Sequence, residues 1–533
     1  MPPYHSHISV LANAASVYPS HNAFLIPDTS STPSWRPVSY LQLSQDVDLT
    51  ARYWHARLTS AAIPERSVVG LWLEGMSYND VLHIYAISRA GYIPQLFSIR
   101  LPNPHVVLDL LLRANARALI FAPHFAQLSS HFPIPVFSAI QKDAIPPSDH
   151  PLLPLSTPVH GDHTAFVFHT SGSTSGSPKL IPCSYRWLDA IIKKAHFTCA
   201  PRDPRHQHVT VWLGSMCHIG QNFMLLGALQ HGFCTIQPTK IPFSSQELVE
   251  MIHHCHLTRL NQFSSFLSTH LRNARQDPKL LAYLQSLDEI LFTGLPLTRE
   301  DEDWAYRSGL KIKNLFGSTE CGAMLLSIGG TGRDAPLLRP IPGSHYTFVA
   351  IDASSQPESG HHSSVQLLEL VILADSGDCP DSALRSPDGH FHTGDLFQQV
   401  SPGSYAFRGR NDDWIKSENS LRCDTKAIED NVRATCGDLI EECIVVGTGR
   451  PSPALFVEPA FGVDQDKLKR DIVRKTRPFH SRRYLHERIT SPELIIIVPS
   501  KSLPRTATKG NIRRRAVEEA YKTQLDQIYA SLQ

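Results

Sequence analysis

The sequence lacks the features that mark several protein classes. Its formal net charge at pH 7 is only +1, so nothing indicates a surface for nucleic acid or anionic lipid. No apolar run reaches the ~18 residues of a membrane span, and no basic segment followed by an apolar one opens the chain. None of the 10 cysteines belongs to a CxxC pair. We therefore expect a cytoplasmic protein with reduced thiols, no membrane span and no nucleic-acid partner.

Short strand-like runs alternate with amphipathic helical stretches along the chain. A chain of 533 residues is too long for one simple core, so two or more packed units are expected. Ser67–Leu73 has the pattern of a buried strand, and the apolar spacing of Tyr78–Ala90 predicts a helix after it. Further strands are predicted at Arg117–Ala122, Thr164–Phe168, Glu289–Phe292, Lys311–Leu315 and Gln366–Leu373. The Pro-rich stretch 133–158 shows no periodicity. This alternation favours an α/β fold with parallel sheets.

The amino-acid composition changes after Gly409-Arg410, where charged residues become more frequent. Strand-like runs follow at Glu442–Val446, Ala454–Val457 and Leu494–Val498, with a final helix over roughly 513–531. We predict a large N-terminal domain of layered β-sheets and helices over residues 1–410. A small α+β domain is predicted over 411–533, with Asn411-Asp412-Asp413 as the hinge between the two.

The most informative segment is Thr164–Ile181, which reads TAFVFHTSGSTSGSPKLI. An apolar strand runs into a loop dense in Gly and hydroxyl residues, and Lys179 follows that loop. Gly permits positive φ, so successive backbone N–H groups can converge on an anion, and Lys179 adds a mobile positive charge. The pattern indicates a phosphate site, although a flexible surface loop of Ser and Gly would look the same.

The spacing within this loop does not fit three other well-known sites. A P-loop requires Lys directly after Gly, and the residue before Lys179 is Pro178. A nucleophile elbow requires GxSxG, whereas Gly172–Gly176 reads GSTSG with Thr174 at its centre. The dinucleotide fingerprint GxGxxG is absent from the loop. A P-loop ATPase is therefore disfavoured.

A carboxylate follows another predicted strand, in Asn314–Glu320 (NLFGSTE). Beside a phosphate loop, Glu320 can hold Mg²⁺, which prefers one or two carboxylates together with phosphate oxygens. Thr319 can donate to a phosphoryl oxygen, and Phe316 offers a flat face on which a purine can stack. A strand that ends in a Gly turn explains the segment equally well.

Two further segments suit nucleotide chemistry. His392–Asp395 (HTGD) is followed by Arg410; the carboxylate of Asp395 can accept both ribose hydroxyls, and the arginine can support the same sugar. An ordinary Gly-Asp turn with a surface arginine is the alternative. Pro504–Arg515 places Lys509 in a Thr/Gly loop before the last helix; the alternative is a solvated basic start of that helix.

In their order and spacing these segments resemble the adenylate-forming superfamily, which contains acyl- and aryl-CoA ligases, adenylation domains of non-ribosomal peptide synthetases, and luciferases. The phosphate loop, the NxYGxTE motif (here with Phe316 for Tyr), the TGD motif, the hinge and the lysine loop correspond to Thr170–Lys179, Asn314–Glu320, Thr393–Asp395, Gly409–Lys416 and Pro504–Lys509. The chain departs from the common motifs by an extra Ser175, by Asn419 where Gly is usual, and by Lys509-Gly510 in place of Gly-Lys. That last form resembles fungal synthetase-like reductases.

The resemblance implies specific roles for the residues in these motifs. The expected catalytic residues are Lys509, Glu320, Thr174 and Lys179, with Glu320 also holding Mg²⁺. Asp412 is the expected hinge pivot, and Lys416 the residue that faces the site in the second half-reaction. Further residues expected to bind ATP are His169, Thr170, Ser171, Gly172, Ser173, Gly176, Asn314, Leu315, Phe316, Gly317, Ser318, Thr319, Asp395 and Arg410.

By the same resemblance, Trp212–Phe223 (WLGSMCHIGQNF) lines the pocket for the acid. Amino-acid-activating relatives have an Asp near the start of this segment to pair with the α-ammonium, and Met216 stands there in this chain. Methionine cannot pair with a cation, so the expected substrate has no α-amino group. His218, Gln221 and Gly294 are the other expected substrate residues, although His218 fits equally well as a histidine satisfied within the helix or core.

The expected function is ATP-dependent activation of a carboxylic acid as acyl-AMP with release of pyrophosphate. The expected cofactors are ATP and Mg²⁺, and the acyl group is then transferred to a thiol, first of all coenzyme A. Transfer to the phosphopantetheine of a separate acyl carrier protein or to an amine remains open, as does a non-catalytic nucleotide-binding homologue. Little chain follows Lys509, so we expect the acceptor to be a separate molecule.

Overall fold

The computed structural model describes most of the chain. The described residues are 4–28, 34–97, 103–129, 132–152, 154–155, 160–170, 178–330, 332–351, 366–411, 414–418, 422–481, 483, 485–505 and 512–531. Of the predicted site residues, Ser171, Gly172, Ser173, Thr174, Gly176, Asp412 and Lys509 lie outside these ranges, as does the side chain of Lys416.

Helices and strands alternate through the first two thirds of the chain. The helices are α1 His7–Val17, α2 Tyr40–Ser60, α3 Tyr78–Arg89, α4 Pro104–Arg113, α5 Ala126–Ser129, α6 Tyr185–Cys199, α7 Ile219–Gln230, α8 Ser245–Cys255, α9 Ser264–Ala274, α10 Pro278–Ser286, α11 Arg299–Arg307, α12 Thr425–Cys436, α13 Gln465–His480, α14 Arg514–Ala520 and α15 Lys522–Ser531. Each of these helices is too short or too polar to span a bilayer.

The strands fall into a mainly parallel part and a mainly antiparallel part. They are β1 Asn22–Pro27, β2 Trp35–Ser39, β3 Val68–Trp72, β4 Ile93–Leu96, β5 Ala118–Phe121, β6 Val136–Ser138, β7 Thr164–Thr170, β8 Lys179–Ser184, β9 Val209–Val211, β10 Cys234–Ile236, β11 Arg259–Phe263, β12 Glu289–Thr293, β13 Ile312–Ser318, β14 Gly322–Ser327, β15 Leu338–Pro340, β16 Tyr346–Ala350, β17 Leu368–Ile372, β18 Phe391–Ser401, β19 Ser404–Arg410, β20 Trp414–Lys416, β21 Arg422–Asp424, β22 Ile440–Val446, β23 Ala454–Pro459 and β24 Ile495–Ile497.

Two large sheets carry the predicted nucleotide motifs. One has the order β6-β5-β3-β4-β7-β8, parallel except for the β7–β8 hairpin. The other has the order β16-β17-β18-β19-β15-β14-β13-β12-β11-β9-β10-β1-β2. Its middle strands, from β13 to β1, are parallel, whereas β14 to β19 pair antiparallel. The carboxyl ends of parallel strands share one edge, and ligands bind there in open α/β sheets.

Local sequence explains where the helices beside the site begin. Ser77 caps α3 in a reciprocal capping box with Asp80. Ser184 caps α6, because its hydroxyl accepts from the Trp187 backbone N–H at 3.2 Å. The helix α6 therefore starts directly after strand β8, and its first turn has a fixed position relative to the phosphate hairpin.

Apolar packing divides the described residues into several cores. The largest core joins α1, α2, α3, α6 and α7 to the sheet that contains β3 and β7. Residues of β9 to β13 and of helices α8 to α11 form another, and an aromatic core lies among the antiparallel strands β14 to β19. Residues between Ile415 and Tyr529 form a core of their own. The boundary between residues 410 and 411 stays a prediction.

The α/β fold expected from the strand–helix alternation is confirmed, and the predicted strands appear with nearly the predicted bounds. Two details differ. The stretch 133–158 contributes the short edge strand β6, which pairs with β5. The last helix divides into α14 and α15 at Tyr521, whose ring lies 4.8 Å from that of Phe456. The backbone of Tyr521 departs from helical geometry, with a φ of −109° and a ψ of 18°.

Candidate active site

The predicted phosphate loop connects the two strands of a β-hairpin. Thr170 at the end of β7 lies opposite Lys179 at the start of β8, so the chain enters and leaves the loop at one point. The Lys179 side chain is exposed, as a lysine that reaches toward a phosphate must be. Pro178 is buried, and its carbonyl accepts from Arg113 Nη1 at 3.1 Å. The base of the loop is therefore anchored, while Lys179 is free of the core.

His169 lies just before the loop, in a protected position. Its Nδ1 is 3.1 Å from the carbonyl oxygen of Leu96, and a carbonyl oxygen can only accept, so Nδ1 carries the proton. Burial lowers the pKa of His169 to about 4. The ring is therefore neutral at pH 7, with Nε2 as an acceptor, and it can contact a nucleotide by hydrogen bonding but not by charge.

The Glu320 turn, residues Ser318–Gly322, connects β13 to β14. Ser318 Oγ accepts from the Cys321 backbone N–H at 3.2 Å, and Gly322 has a φ of +63°, which favours glycine. Trp187 Nε1 donates to the Glu320 carbonyl at 2.9 Å. Since Trp187 lies in the first turn of α6, directly after β8, this bond ties the turn to the strand that carries Lys179.

Most of the other residues of the Asn314–Glu320 motif belong to strand β13, which leads into this turn. Asn314 N–H donates to Ser327 Oγ at 2.8 Å, and the Leu315 carbonyl accepts from Thr293 Oγ1 at 2.6 Å. The exposed Gly317 has no room for a side chain, because a Cβ there would lie 2.5 Å from the Gly322 carbonyl oxygen. Thr319 is partly exposed within the turn.

The chemistry of Glu320 suits a magnesium ion. Its carboxylate is partly exposed, and among the described residues there is no cluster of three His, Cys, Asp or Glu side chains that could hold a metal. Mg²⁺ commonly takes one or two carboxylates and completes its octahedron with phosphate oxygens and water. Glu320 therefore fits an ion that arrives with a nucleotide better than it fits a closed structural metal site.

The ring of Phe316 connects the Glu320 turn to the predicted ribose site. Its centroid lies 5.2 Å from that of Phe397 on β18 and 5.2 Å from that of Phe407 on β19. Both strands belong to the hairpin that carries Asp395 and Arg410. Phe316 is only partly buried, so part of its surface remains accessible beside this aromatic core.

Asp395 and Arg410 face each other across the β18–β19 ladder. Arg410 Nη1 donates to Asp395 Oδ1 at 3.1 Å, while only 9% of the Asp395 side chain is exposed. Gly394 has a φ of +71°, and a Cβ there would lie 3.2 Å from Arg410 Nη2. The glycine therefore lets the arginine approach, and the arginine orients the carboxylate.

A compact aromatic site lies at the ends of β11 and β12, where the acid pocket was predicted. Phe263 ends β11 beside Thr293 of β12. A Cβ on Gly294 would lie 3.1 Å from its ring, and one on Gly214 would lie 2.8 Å from it. The exposed His218 meets the same ring edge to face, with centroids 5.8 Å apart. Phe263 could not be selected from the sequence, because a single phenylalanine at the end of a strand is typical of core packing.

The other predicted pocket residues have structural contacts. Met216 is fully buried in the large core, and its backbone N–H donates to the Gly75 carbonyl at 2.6 Å. Gln221 is also buried, and its Oε1 accepts from the backbone N–H of Leu213 at 2.6 Å. His218 caps α7, since its Nδ1 accepts from Gly220 N–H at 3.2 Å. Their roles toward a substrate stay predictions.

The loop that contains Lys509 is closed at its base. Arg505 and Ile512 form a β-bridge across it, and the Arg513 N–H donates to the Pro504 carbonyl at 2.8 Å. Arg505 Nη1 also donates to the buried Glu458 at 3.0 Å. These contacts fix both ends of the loop on the C-terminal core.

Comparison with known proteins assigns both parts of the chain. Residues 11–356 match the profile of the AMP-binding enzyme family, and residues 412–533 match that of the AMP-binding enzyme C-terminal domain. The AMP-binding domain-containing enzyme iboA of Amanita muscaria (strain Koide BX008) is 34% identical over 517 residues, which cover 94% of this chain and 98% of that one.

Other relatives are longer proteins. The non-canonical non-ribosomal peptide synthetase ascB of Acremonium egyptiacum is 22% identical over 560 residues, which cover 98% of this chain but 47% of that protein. The adenylate-forming reductase Nps10 of Heterobasidion annosum is 21% identical over 540 residues, covering 93% of this chain and 47% of the reductase. The chain therefore spans about half the length of these two relatives.

Solved structures share the fold over almost the whole chain. The O-succinylbenzoate coenzyme A synthetase of Bacillus subtilis in complex with AMP superposes with a TM-score of 0.72 at 16% identity, covering 96% of this chain and 97% of that one. The anthranilate CoA ligase AuaEII in complex with anthranoyl-AMP superposes with a TM-score of 0.72 at 18% identity, covering 99% of both chains. The two profile matches and the relative at 34% identity show that the chain belongs to the AMP-binding family of adenylate-forming enzymes.

Proposed function

We propose that this protein activates a carboxylic acid with ATP, forms an acyl-AMP and releases pyrophosphate, and then transfers the acyl group to a thiol. The observation that carries the proposal is one contact network that joins three predicted motifs. Trp187 ties the Glu320 turn to the helix that follows Lys179, and Phe316 ties the same segment to the hairpin of Asp395. A single nucleotide can therefore lie against all three.

The residues in this network suit in-line attack at the α-phosphorus of ATP. A carboxylate oxygen of the acid forms the new bond to phosphorus, and the bond to the bridging oxygen of the leaving pyrophosphate breaks. Lys179 and the hydroxyl loop stabilise the negative charge on the departing group, and Lys509 stabilises charge between the carboxylate and the α-phosphate. When bound at Glu320, Mg²⁺ supplies further positive charge to the phosphate oxygens.

The apolar character of the predicted pocket favours an acid without an α-amino group, such as an aryl, fatty or α-keto acid. Met216 is enclosed by the core and cannot pair with an ammonium group. Phe263, between Gly214 and Gly294, adds a flat apolar wall. These features support the prediction made from the Trp212–Phe223 segment.

Exchange of labelled pyrophosphate into ATP, measured over a panel of acids, tests the proposal. We expect exchange that depends on an aryl, fatty or α-keto acid and is weak with α-amino acids. An α-amino acid as the best substrate would refute the argument from Met216. Binding of ATP without exchange on any acid would favour the non-catalytic nucleotide-binding homologue.

The acceptor requires a separate measurement, because the proposal of coenzyme A rests on chemistry shared by several thiols. Preformed acyl-AMP on the enzyme is chased with coenzyme A, with a phosphopantetheine-loaded carrier protein, or with an amine. We expect the fastest decay with coenzyme A. Faster decay with the carrier or the amine would replace that part of the proposal and leave adenylation intact.

The role proposed for Lys509 is tested by Lys509→Ala. Loss of one donor that stabilises transition-state charge costs on the order of 10²–10³ in rate, and we expect that loss in single-turnover formation of acyl-AMP. Lys522→Ala removes an exposed lysine at the start of α15 in the same domain and serves as the control. Equal single-turnover rates for Lys509→Ala and the wild type would reject the assignment.

A further inference from the structure

Helix α6 holds the Glu320 turn and the start of β14 at three backbone carbonyls. Trp187 Nε1 donates to Glu320 O at 2.9 Å, and Lys194 Nζ donates to Cys321 O at 3.0 Å and to Ala323 O at 2.5 Å. Trp187 and Lys194 are two turns apart on one face of the helix. Both donors therefore act on one short segment of backbone that begins at the predicted metal carboxylate.

Lys194 is a buried charge with a complete set of partners. It is 2% exposed, and besides the two carbonyls its Nζ lies 2.6 Å from Asp378 Oδ2 and 3.3 Å from the Tyr346 hydroxyl. An ammonium group has three donors and no acceptor, so one N–H is shared. A buried ammonium of this kind is tolerated only when it is paired and hydrogen-bonded.

Asp378 neutralises Lys194 and is itself held on several sides. It is 1% exposed, and its carboxylate accepts from Ser376 Oγ at 2.5 Å and from the Tyr346 hydroxyl. Burial raises the pKa of Asp378, but the Lys194 ammonium and these hydrogen bonds outweigh that effect and hold the pKa below its usual value. The Asp378 carboxyl group is therefore ionised at neutral pH.

The same helix carries the phosphate hairpin at its start. Strand β8 ends at Ser184, which caps α6, so Lys179 and Lys194 belong to one continuous strand–helix unit. Gly322 brings the turn close to the flank of the helix, because a Cβ there would lie 2.5 Å from Ile191 Cδ1. The distance between Lys179 and Glu320 is thus set by how α6 holds the turn.

We infer that Lys194, neutralised by Asp378, is a positioning residue that fixes the Glu320 carboxylate relative to Lys179 for the binding of magnesium-bound ATP. The inference rests on the proposed function, since it takes Glu320 as the carboxylate that meets the metal. A buried ion pair often stabilises a fold no better than apolar side chains of similar volume. Its specific use here is that the Lys194 ammonium reaches one carbonyl of the turn and one at the start of β14.

The test is equilibrium binding of ATP at a series of magnesium concentrations, measured by calorimetry without acid and therefore without turnover. The variant is Lys194→Met combined with Asp378→Asn, which removes both buried charges together. We expect a folded protein whose midpoint magnesium concentration is raised by about 10- to 100-fold, the usual effect of losing a residue that orients a metal ligand. Binding of ATP without magnesium should change little.

Two further variants keep the test decisive. Lys193→Met removes the adjacent lysine, whose side chain is 67% exposed and which pairs with Asp189 at 2.7 Å; its magnesium midpoint should equal that of the wild type. Trp187→Phe removes the N–H that reaches Glu320 O and keeps an aromatic ring. It should raise the midpoint in the same direction, and it replaces the double variant if that protein does not fold.

The outcomes separate this inference from the proposed function. Unchanged magnesium midpoints in the folded variants would overturn the inference and make Lys194 a purely structural residue. Absence of magnesium-dependent ATP binding by the wild type would also overturn it. If the wild type binds magnesium-bound ATP and the variants shift as expected, but no acid supports pyrophosphate exchange, the proposed function fails and the positioning role stands.

Discussion

Replacement of Gly317 by alanine perturbs β13 directly before the Glu320 turn. A Cβ at this position would lie 2.5 Å from the Gly322 carbonyl oxygen and 3.0 Å from Ala323 Cα, whereas ordinary contact begins at 3.4 Å. Both neighbours are backbone atoms, so a rotamer change cannot relieve the contact. The two strands must separate by about 0.9 Å, the difference between 3.4 and 2.5 Å.

A displacement of this size affects chemistry more than stability. Overpacking of this kind typically costs about 1–3 kcal/mol of folding free energy, which a protein of this size usually survives. A misplacement of about 1 Å in an active site can cost about 10²-fold in rate. We therefore expect Gly317→Ala to remain folded and to form acyl-AMP about 100-fold more slowly.

The assay is single-turnover formation of acyl-AMP by rapid quench, with thermal unfolding measured on the same samples. Gly403→Ala is the matched control: Gly403 has a φ of +67° with nothing within 4 Å of an added Cβ, so alanine there introduces backbone strain without contact. Gly403→Ala should be somewhat less stable than the wild type and should form acyl-AMP at the wild-type rate. Wild-type adenylation by Gly317→Ala would refute the assignment of this turn to the site.

Three further predictions follow from the same contacts. Asp395→Asn removes the charged acceptor proposed for the ribose hydroxyls, and a hydrogen bond to a charged group is worth about 1.5–3 kcal/mol. The KM for ATP should therefore rise at least about tenfold. An unchanged KM would contradict the ribose assignment. Phe263→Ala removes the flat wall between the two glycines; pyrophosphate exchange should shift toward bulkier acids by about tenfold, and an unaltered order of acids would place the pocket elsewhere. His7 is buried with no hydrogen-bond partner for either ring nitrogen among the described residues, and burial lowers its pKa to about 3. Its contribution to stability is therefore present above about pH 6.5 and is lost as the pH falls toward 3, by about 2–3 kcal/mol at about pH 4.5. Urea unfolding gives the free energy of unfolding of His7→Leu minus that of the wild type, and this difference should be larger by that amount at about pH 4.5 than at about pH 7.5. An equal difference at both pH values would refute the burial argument.

The regular elements could be predicted from the sequence because their patterns are local. Strand β3 and helix α3 follow from an apolar run and from apolar residues at helical spacing, and both begin and end nearly where expected. The division at Tyr521 could not be predicted. The Tyr521 ring lies beside Phe456 of strand β23, which is distant in sequence, whereas the local sequence continues to favour a helix.

The described motifs lie in one contact network, as expected from their order in the sequence, and the roles of their residues stay predictions. Lys194 shows what the sequence left out. It follows Lys193 directly, and two adjacent lysines suggest a solvated surface, yet Lys194 is buried and Lys193 is exposed. The helical period indicates that Lys194 is buried, because it shares a face with Trp187 and Ile191, both of them buried. Its partner Asp378 is far away in the sequence and could not have been identified.

The residues predicted to line an acid pocket follow from less compact sequence patterns than those predicted to bind the nucleotide. Nucleotide recognition uses backbone N–H groups, carboxylates and Gly, which appear as compact motifs in the sequence. Phe263 acquires its place only when β11 and β12 come together and bring Gly214 and Gly294 against its ring. Pocket walls are made of ordinary core residues from distant segments, so their role becomes visible only in the folded chain.

A crystal structure with ATP and magnesium would show whether separated segments of the chain close on one nucleotide. We expect phosphates at the hairpin of Lys179, a magnesium ion between Glu320 and the phosphate oxygens, and ribose hydroxyls at Asp395. A well-ordered nucleotide bound away from any one of these three residues would refute the assignment of the site.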